Sequence, residues 1–297
     1  MLEINNDAIF IADSHTQCLA QNGRDSLILS LEKLLQSPPS QIFLMGDISH
    51  ILVGNLNSSV KSNERLLNAI DSLSKKAQII YFEGNHDFNL EQILPNTITI
   101  PRKNQPQLAH FGDKTALIAH GDIFLDKKYE FYINILSAKV SAKILQIMDL
   151  ATFGRLYNFI EKKVQNKKIR LLSDECAIES LIKRRIQSYQ NYILRRNLRV
   201  DFVIEGHFHL GKIVLDSARF CAIDSTKTAL DSATNALDST KTTLDSTTNA
   251  LDSATTTPDS TKTALDSATN SFSYISLPAF FDKNSAFQMA NLHFITL

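Results

Sequence analysis

Five short clusters of Asp, Asn, His and Gly carry the chemistry open to this chain: Asp13-Ser14-His15, Gly46-Asp47, Gly84-Asn85-His86-Asp87, His120-Gly121-Asp122 and Gly206-His207-Phe208-His209. They hold five of the eight histidines and four of the nine glycines, a concentration that scattered surface residues would not give. Two adjacent divalent ions need a bridging carboxylate and a mixed shell of carboxylate, amide and imidazole donors. Asp13 and His15 alternate on an extended segment and can hold an ion from one strand end. Asp47 is the natural bridge, and Asn85 offers an oxygen that adds no negative charge. His120, His207 and His209 complete the nitrogen ligands. Such a shell suits Mn²⁺, Fe²⁺ or Zn²⁺ better than Ca²⁺, and Mn²⁺ is the expected ion. The chemistry that follows is attack of water on phosphorus, because paired ions lower the pKa of water and remove the need for a separate protein base.

Taken singly, the clusters are common; their order behind apolar runs is what is specific. Ala8–Ala12, Ile42–Met45, Ile79–Phe82 and Ala116–Ala119 each end in a cluster, and Val200–Glu205 delivers the fifth. Short unbroken apolar runs suit strands buried on both faces. Between them, 27–35 and 64–73 space their apolar residues three and four apart, as helices packed on a sheet do. The expected class is α/β, and ligands in such folds collect in loops at the carboxyl ends of the strands. Further short strands are expected near 211–215, 274–278, 286–289 and 292–297.

Residues 127–200 differ in character and read as two or three helices. The stretch Tyr129–Leu150 is apolar on more than one face, and Ser173 is a candidate N-cap for a helix running to about Arg196. Twelve basic and four acidic residues lie between Arg155 and Arg199, a local +8 within a chain of zero net charge. The insert therefore reads either as a lid over a greasy, anionic substrate or as a helical layer that completes the core. From 223 to 271 a seven-residue unit repeats, with Asp224, Asp231, Asp238, Asp245, Asp252, Asp259 and Asp266 in register. Each unit offers one sizeable apolar residue where a coiled-coil seam needs two, so the segment is expected to lack a packed structure, as an insertion in a β-hairpin loop.

The net charge of zero speaks against nucleic acid as a partner, and no protein partner is expected. Three scattered cysteines do not form a disulfide framework, the N-terminal residues lack a secretory pattern, and no apolar run is long enough to span a bilayer. The expected location is the cytoplasm, with peripheral contact to the inner membrane.

The ordered series of clusters resembles the calcineurin-like metallophosphoesterase superfamily. The resemblance implies one domain over 1–297: an α+β sandwich of two mixed β-sheets packed face to face, flanked by helices, with a helical lid insert over 127–200. It also implies one metal on Asp13, His15, Asp47 and His209, a second on Asp47, Asn85, His120 and His207, and His86 beside the scissile phosphorus. Asp87 would orient the loop for this catalytic pair. Ile11-Ala12-Asp13-Ser14-His15, Gly84-Asn85-His86-Asp87-Phe88, the helical insert and the tail Leu292-His293-Phe294-Ile295 look most like the UDP-2,3-diacylglucosamine pyrophosphohydrolases of lipid A biosynthesis. That likeness implies a sugar-nucleotide lipid substrate, a lid for its acyl chains, and Asn85, Arg155, Lys183 and Arg184 as contacts to its polar end. The chain departs from that pattern in carrying His86 where the family has Arg, and Leu210-Gly211 where it has Arg-Pro. A phosphoesterase of a soluble substrate and a non-catalytic metal-binding scaffold stay open as alternatives.

Overall fold

The computed structural model describes residues 1–16, 26–136, 138–165, 172–221 and 271–297. The heptapeptide repeat lies almost wholly outside the described residues, and its expected lack of packed structure with it.

The expected sandwich is present as two six-stranded mixed sheets. One is built on four parallel strands: β2 (Ile9–Ile11), β3 (Gln41–Leu44), β5 (Gln78–Phe82) and β7 (Ile98–Ile100). The antiparallel pair β13 (Ser285–Gln288) and β14 (His293–Thr296) extends it beyond β2. The other runs β1 (Leu2–Glu3), β8 (Gln107–Phe111), β9 (Lys114–Ala119), β10 (Phe202–Glu205), β12 (Ser273–Ser276) and β11 (Lys212–Val214), with β9, β10 and β12 parallel. A small parallel ribbon joins β4 (Leu52–Val53) to β6 (Asp87–Phe88). Strands β11 and β12 pair antiparallel, Val214 opposite Tyr274, so the repeat connects the two strands of one hairpin.

Side chains alternate across each strand. Phe10, Phe43, Ile80 and Phe82 enter the layer between the sheets, where they join Ile118, Ile204 and Ile275. Ile9, Ile11, Ile42, Leu44, Ile79 and Tyr81 enter a second core with helices α1 (Ser26–Leu34) and α3 (Glu64–Ser74), which follow the short α2 (Asn57–Ser62) in the case of α3. Both faces are buried, which explains why these strands read as unbroken apolar runs.

Among the described residues, the insert contains four helices rather than two or three. The stretch Tyr129–Leu150 is divided between α4 (Lys127–Leu136) and α5 (Lys139–Ala151), because Ala138 adopts extended backbone (φ −63°, ψ 142°) between them. Helices α6 (Arg155–Gln165) and α7 (Glu175–Arg195) follow. The N-cap of α7 is Asp174, not Ser173: the Asp174 carboxylate accepts the Ala177 N–H at 3.0 Å. Helix α7 covers the outer face of the second sheet, burying Ile178, Ile182, Ile186, Tyr189 and Ile193 against Leu117, Val203 and Tyr274. Helices α4–α6 instead dock on the 51–62 segment. Their links include Tyr157 against Val53, Leu56 and Phe88, with Ser58 N–H donating to Asp149 at 3.1 Å and Ser62 to Glu161 at 2.7 Å.

Candidate metal centre

All five clusters lie just past the carboxyl ends of strands, at one edge of the sandwich. The first sheet supplies Asp13 and His15 after β2, Asp47 after β3, and Asn85 and His86 after β5. The second supplies His120 after β9, and His207 and His209 after β10. Three groups of side chains have ligand atoms within 4.8 Å of one another: Asp13, His15 and His209; His15, Asp47 and His86; Asp47, His120 and His207. Asp47 is common to two of them, as a bridging carboxylate must be.

Close interlocking of the loops makes this convergence possible. A Cβ on Gly84 would lie 2.4 Å from Asp47 Oδ1, and one on Gly206 would lie 2.7 Å from Asp13 Oδ2. Only glycine lets these backbones approach the carboxylates so nearly. Five of the seven expected ligands also have left-handed backbone: Asp13 (φ 51°), His15 (47°), Asp47 (51°), His207 (66°) and His209 (58°). Each such residue costs about 1–2 kcal/mol, and the strain persists only where surrounding bonds over-determine it. Here Asp13 N–H donates to Gly46 O, His15 N–H to Asp47 O, and His207 N–H to Asp13 Oδ2 at 2.8 Å.

The hydrogen bonding of the donor set itself suits a cation. Asp13 Oδ1, His15 Nδ1, Asn85 Oδ1 and His120 Nε2 are buried without a hydrogen-bond partner. Buried polar atoms are rarely left so, and four expected ligands sharing this state fit the donor set of a cation. Burial, opposed by the charge of Asp47, holds His15 down to about 4, and burial followed by His120 does the same for His207. Both imidazoles are therefore neutral at neutral pH, the form that ligates. Burial works against the charge on Asp47, but His120, then His86, hold its carboxyl well below the usual range. His120 is aimed by a bond between Nδ1 and Met45 O at 2.7 Å, which leaves Nε2 3.6 Å from Asp47 Oδ1. A backbone carbonyl on the far nitrogen commonly sets a ligand histidine in this way.

His86 is steered similarly, with Nδ1 2.7 Å from His50 O. The His50 ring lies 5.5 Å from that of His15, so this histidine, which lies outside the five clusters, is a neighbour of the centre. Asp87 has no access to a substrate. It is fully buried and accepts from Asp47 N–H (3.0 Å), Ile48 N–H (2.7 Å), Gly84 N–H (2.8 Å) and Tyr81 OH (2.7 Å). Burial, then the Asp47 charge, push its carboxyl up, yet only the carboxylate can accept all four donors. Asp87 ties the Asp47 and Gly84 loops together.

The cations expected of the insert lie on α6 and α7. Arg155 and Arg184 are exposed, and Lys183 pairs with Glu179 at 3.0 Å. Arg102, which sequence reading passed over, is buried nearby, with Nε 2.5 Å from Asp122 Oδ2 and Nη1 3.0 Å from Glu130. Its position after the motif-poor segment 89–101 gave no signal, although Asp122 at the end of a cluster pointed to a partner.

A cavity of about 460 Å³ opens beside Asn85 and His86 and is lined by residues such as Val53, Phe88, Ile133, Leu136, Leu145 and Ile160. Its walls come from α4–α6 and the β4–β6 ribbon.

The family model of the calcineurin-like phosphoesterases matches residues 8–211. The chain belongs to this family. A UDP-2,3-diacylglucosamine hydrolase from Vibrio atlanticus (strain LGP32) is 24% identical over 223 residues, 74% of this chain and 86% of that relative. A protein of unknown function from Aquifex aeolicus aligns in structure with a TM-score of 0.34 and 15% identity, over 70% of this chain and 82% of that one. As a family member with clustered Asp and His groups able to bind metal, the protein is a metal-dependent phosphoester hydrolase.

Proposed function

We propose that the protein cleaves the pyrophosphate of UDP-2,3-diacylglucosamine, releasing UMP and 2,3-diacylglucosamine 1-phosphate. The observation that carries this reading is the apolar cavity running directly from Asn85 and His86 under the insert helices. An acyl chain in that cavity places the polar end of the same molecule at the carboxylates and imidazoles. The likeness to the Vibrio hydrolase supports the same substrate.

In this reading Asp13, His15, Asp47 and His209 hold one divalent ion, and Asp47, Asn85, His120 and His207 hold a second, Mn²⁺ with Fe²⁺ or Zn²⁺ as the other candidates. Bound there, the ions would neutralise the phosphoryl oxygens and bring the pKa of attacking water near neutrality. His86, with Nδ1 held on the His50 carbonyl, turns Nε2 to the substrate. It can steady the phosphoryl charge and give a proton to the leaving oxygen. Asp87 keeps the loops of Asp47 and Asn85 in register. The insert walls exclude water and seat the acyl chains.

Helices α4–α6 also support contact with a membrane face. Phe153 (91% exposed), Val140 (71%), Phe131 (69%) and Phe159 (65%) stand out from them beside Lys143, Arg155, Lys162 and Lys163. Apolar tips flanked by cations suit an interface of anionic lipids. No described helix is long and apolar enough to cross a membrane.

His86 favours a second reading, hydrolysis of a soluble phosphodiester or phosphomonoester, because an imidazole lacks the two-pronged clamp that an arginine offers a phosphate. Incubating the Mn²⁺-loaded protein with UDP-2,3-diacylglucosamine and, separately, with bis-p-nitrophenyl phosphate decides between them. UMP release supports the lipid reading. Cleavage of the nitrophenyl ester without UMP supports the second, and no cleavage of either by metal-loaded protein leaves a binding scaffold.

A further inference from the structure

Arg185 lies on the inward face of α7, 2% exposed, and its guanidinium reaches three separate parts of the fold. Nε and Nη2 donate to the two oxygens of Glu205 at 2.9 and 2.6 Å. Nη1 donates to Ile123 O at 2.8 Å, and the guanidinium carbon lies 4.9 Å from the centre of the Phe208 ring. Glu205 is fully buried and accepts two further bonds, from Tyr189 OH at 2.7 Å and Tyr274 OH at 2.5 Å.

The chain positions of these partners give the arrangement its meaning. Glu205 directly precedes Gly206-His207-Phe208-His209, Phe208 stands between the two histidines, and Ile123 directly follows His120-Gly121-Asp122. One side chain therefore grips both loops through which the second sheet presents its imidazoles. Asp87 does the same for the loops of the first sheet. A buried ion pair brings little stability over well-packed apolar residues, so stability alone does not account for a fully satisfied one here. A planar fork with two parallel bonds fixes direction, and His207 and His209 have the left-handed backbone that needs such fixing.

We infer that Arg185, held by Glu205, is a positioning residue that sets the separation of His120 from His207 and His209 and so tunes the grip on the metal. This rests on the metal reading proposed above. Partners lying behind metal ligands are commonly worth about 10–100-fold in metal affinity. The Arg184-Arg185 pair makes the choice of side chain specific: Arg184 is exposed and Arg185 is not.

The test is Mn²⁺ binding by calorimetry to the wild-type protein, Arg185→Lys and Phe208→Leu, each checked for folding by circular dichroism in EDTA. Lysine keeps the charge and loses the fork; leucine keeps the Arg185–Glu205 pair and removes the ring beneath it. The expected result is Mn²⁺ affinity about 10–100-fold weaker in Arg185→Lys and several-fold weaker in Phe208→Leu. Excess Mn²⁺ should restore kcat on bis-p-nitrophenyl phosphate with little change in KM. An unchanged binding isotherm in folded Arg185→Lys overturns the inference. Should that variant not fold, Phe208→Leu decides in the same way, weakened binding supporting the inference and unchanged binding overturning it. A wild-type protein that binds no Mn²⁺ overturns the metal reading itself, and the inference with it.

Discussion

The two halves of the insert use the same kinds of residue in opposite ways. Helix α7 turns Ile178, Ile182, Ile186, Tyr189 and Ile193 into the second sheet and, Arg185 apart, keeps its charges toward the outside. Helices α4–α6 leave Phe131, Val140, Ile144, Ile147, Phe153 and Phe159 exposed and touch the sandwich mainly around 51–62. The first half of the comparison is scaffold, continuous with the loops that carry His120, His207 and His209. The second is a cover that forms a wall of the apolar cavity. A change in the scaffold should therefore reach every substrate alike, and a change in the cover should separate one substrate from another.

The largest effect expected on the scaffold side is at Asp47, shared by two ligand groups. Asp47→Asn keeps the shape and removes the charge that a pair of cations requires. Loss of a group at the centre of charge stabilisation is worth on the order of a thousandfold in kcat or more. The loss should be equal for a diacylated sugar nucleotide and for bis-p-nitrophenyl phosphate. Steady-state rates on both substrates check this, and a loss confined to one of them would break the division between scaffold and cover.

Next in size is a scaffold change that alters stability without altering substrate choice. Glu83, directly before Gly84, is 5% exposed. Burial first, with the Leu90 N–H bond opposing, pushes its carboxyl up to about 7 from the ordinary 4.5. Below about pH 4.5 the acid is protonated folded and unfolded, and costs nothing. As pH rises from there to 7 the unfolded chain ionises first, so stability is lost across that window, by roughly 3 kcal/mol once above it. Glu83→Gln should raise the melting temperature in EDTA at pH 8 and much less at pH 5. A gain independent of pH would remove ionisation of this carboxyl as the cause.

Much of the scaffold was legible in the sequence for a physical reason. Strands buried on both faces must be apolar throughout, and metal ligands come from few residue types, so Ile79–Phe82 followed by Gly84-Asn85-His86 reads as both at once. Other features depended on tertiary contact. His50 meets His15 and His86 only because β4 and β6 pair, and nothing local marks it. The family likeness and the basic insert point to Arg155, Lys183 and Arg184 and not to Arg185. Helical spacing could have corrected this, since Ile182, Ile186 and Tyr189 place position 185 on the buried face and 184 beside it. The extended backbone of Ala138 has no neighbouring glycine or proline to announce it.

In the cover, Leu145 packs with Leu136 against the Val53, Leu56, Phe88 and Tyr157 cluster and lines the cavity. Leu145→Asn keeps the branched shape and puts an amide among apolar walls. About one methylene's worth of pocket contact is worth 1–3 kcal/mol in discrimination, so roughly a tenfold rise in KM is expected for the diacylated substrate. Kinetics on bis-p-nitrophenyl phosphate should not change.

The smallest effect tests α7 as scaffold from its exposed end. Asp174 caps the helix through the Ala177 N–H at 3.0 Å, and removing such a cap costs about 1 kcal/mol. Asp174→Ala lies far along the helix from Arg185, eleven residues and so about 16 Å at the helical rise of 1.5 Å per residue. Fraying there should lower the melting temperature by a few degrees at most while leaving KM for both substrates and the Mn²⁺ affinity as they were. If the affinity fell instead, α7 would transmit strain along its length to the metal loops, and the support it gives them would be a property of the whole helix rather than of one guanidinium.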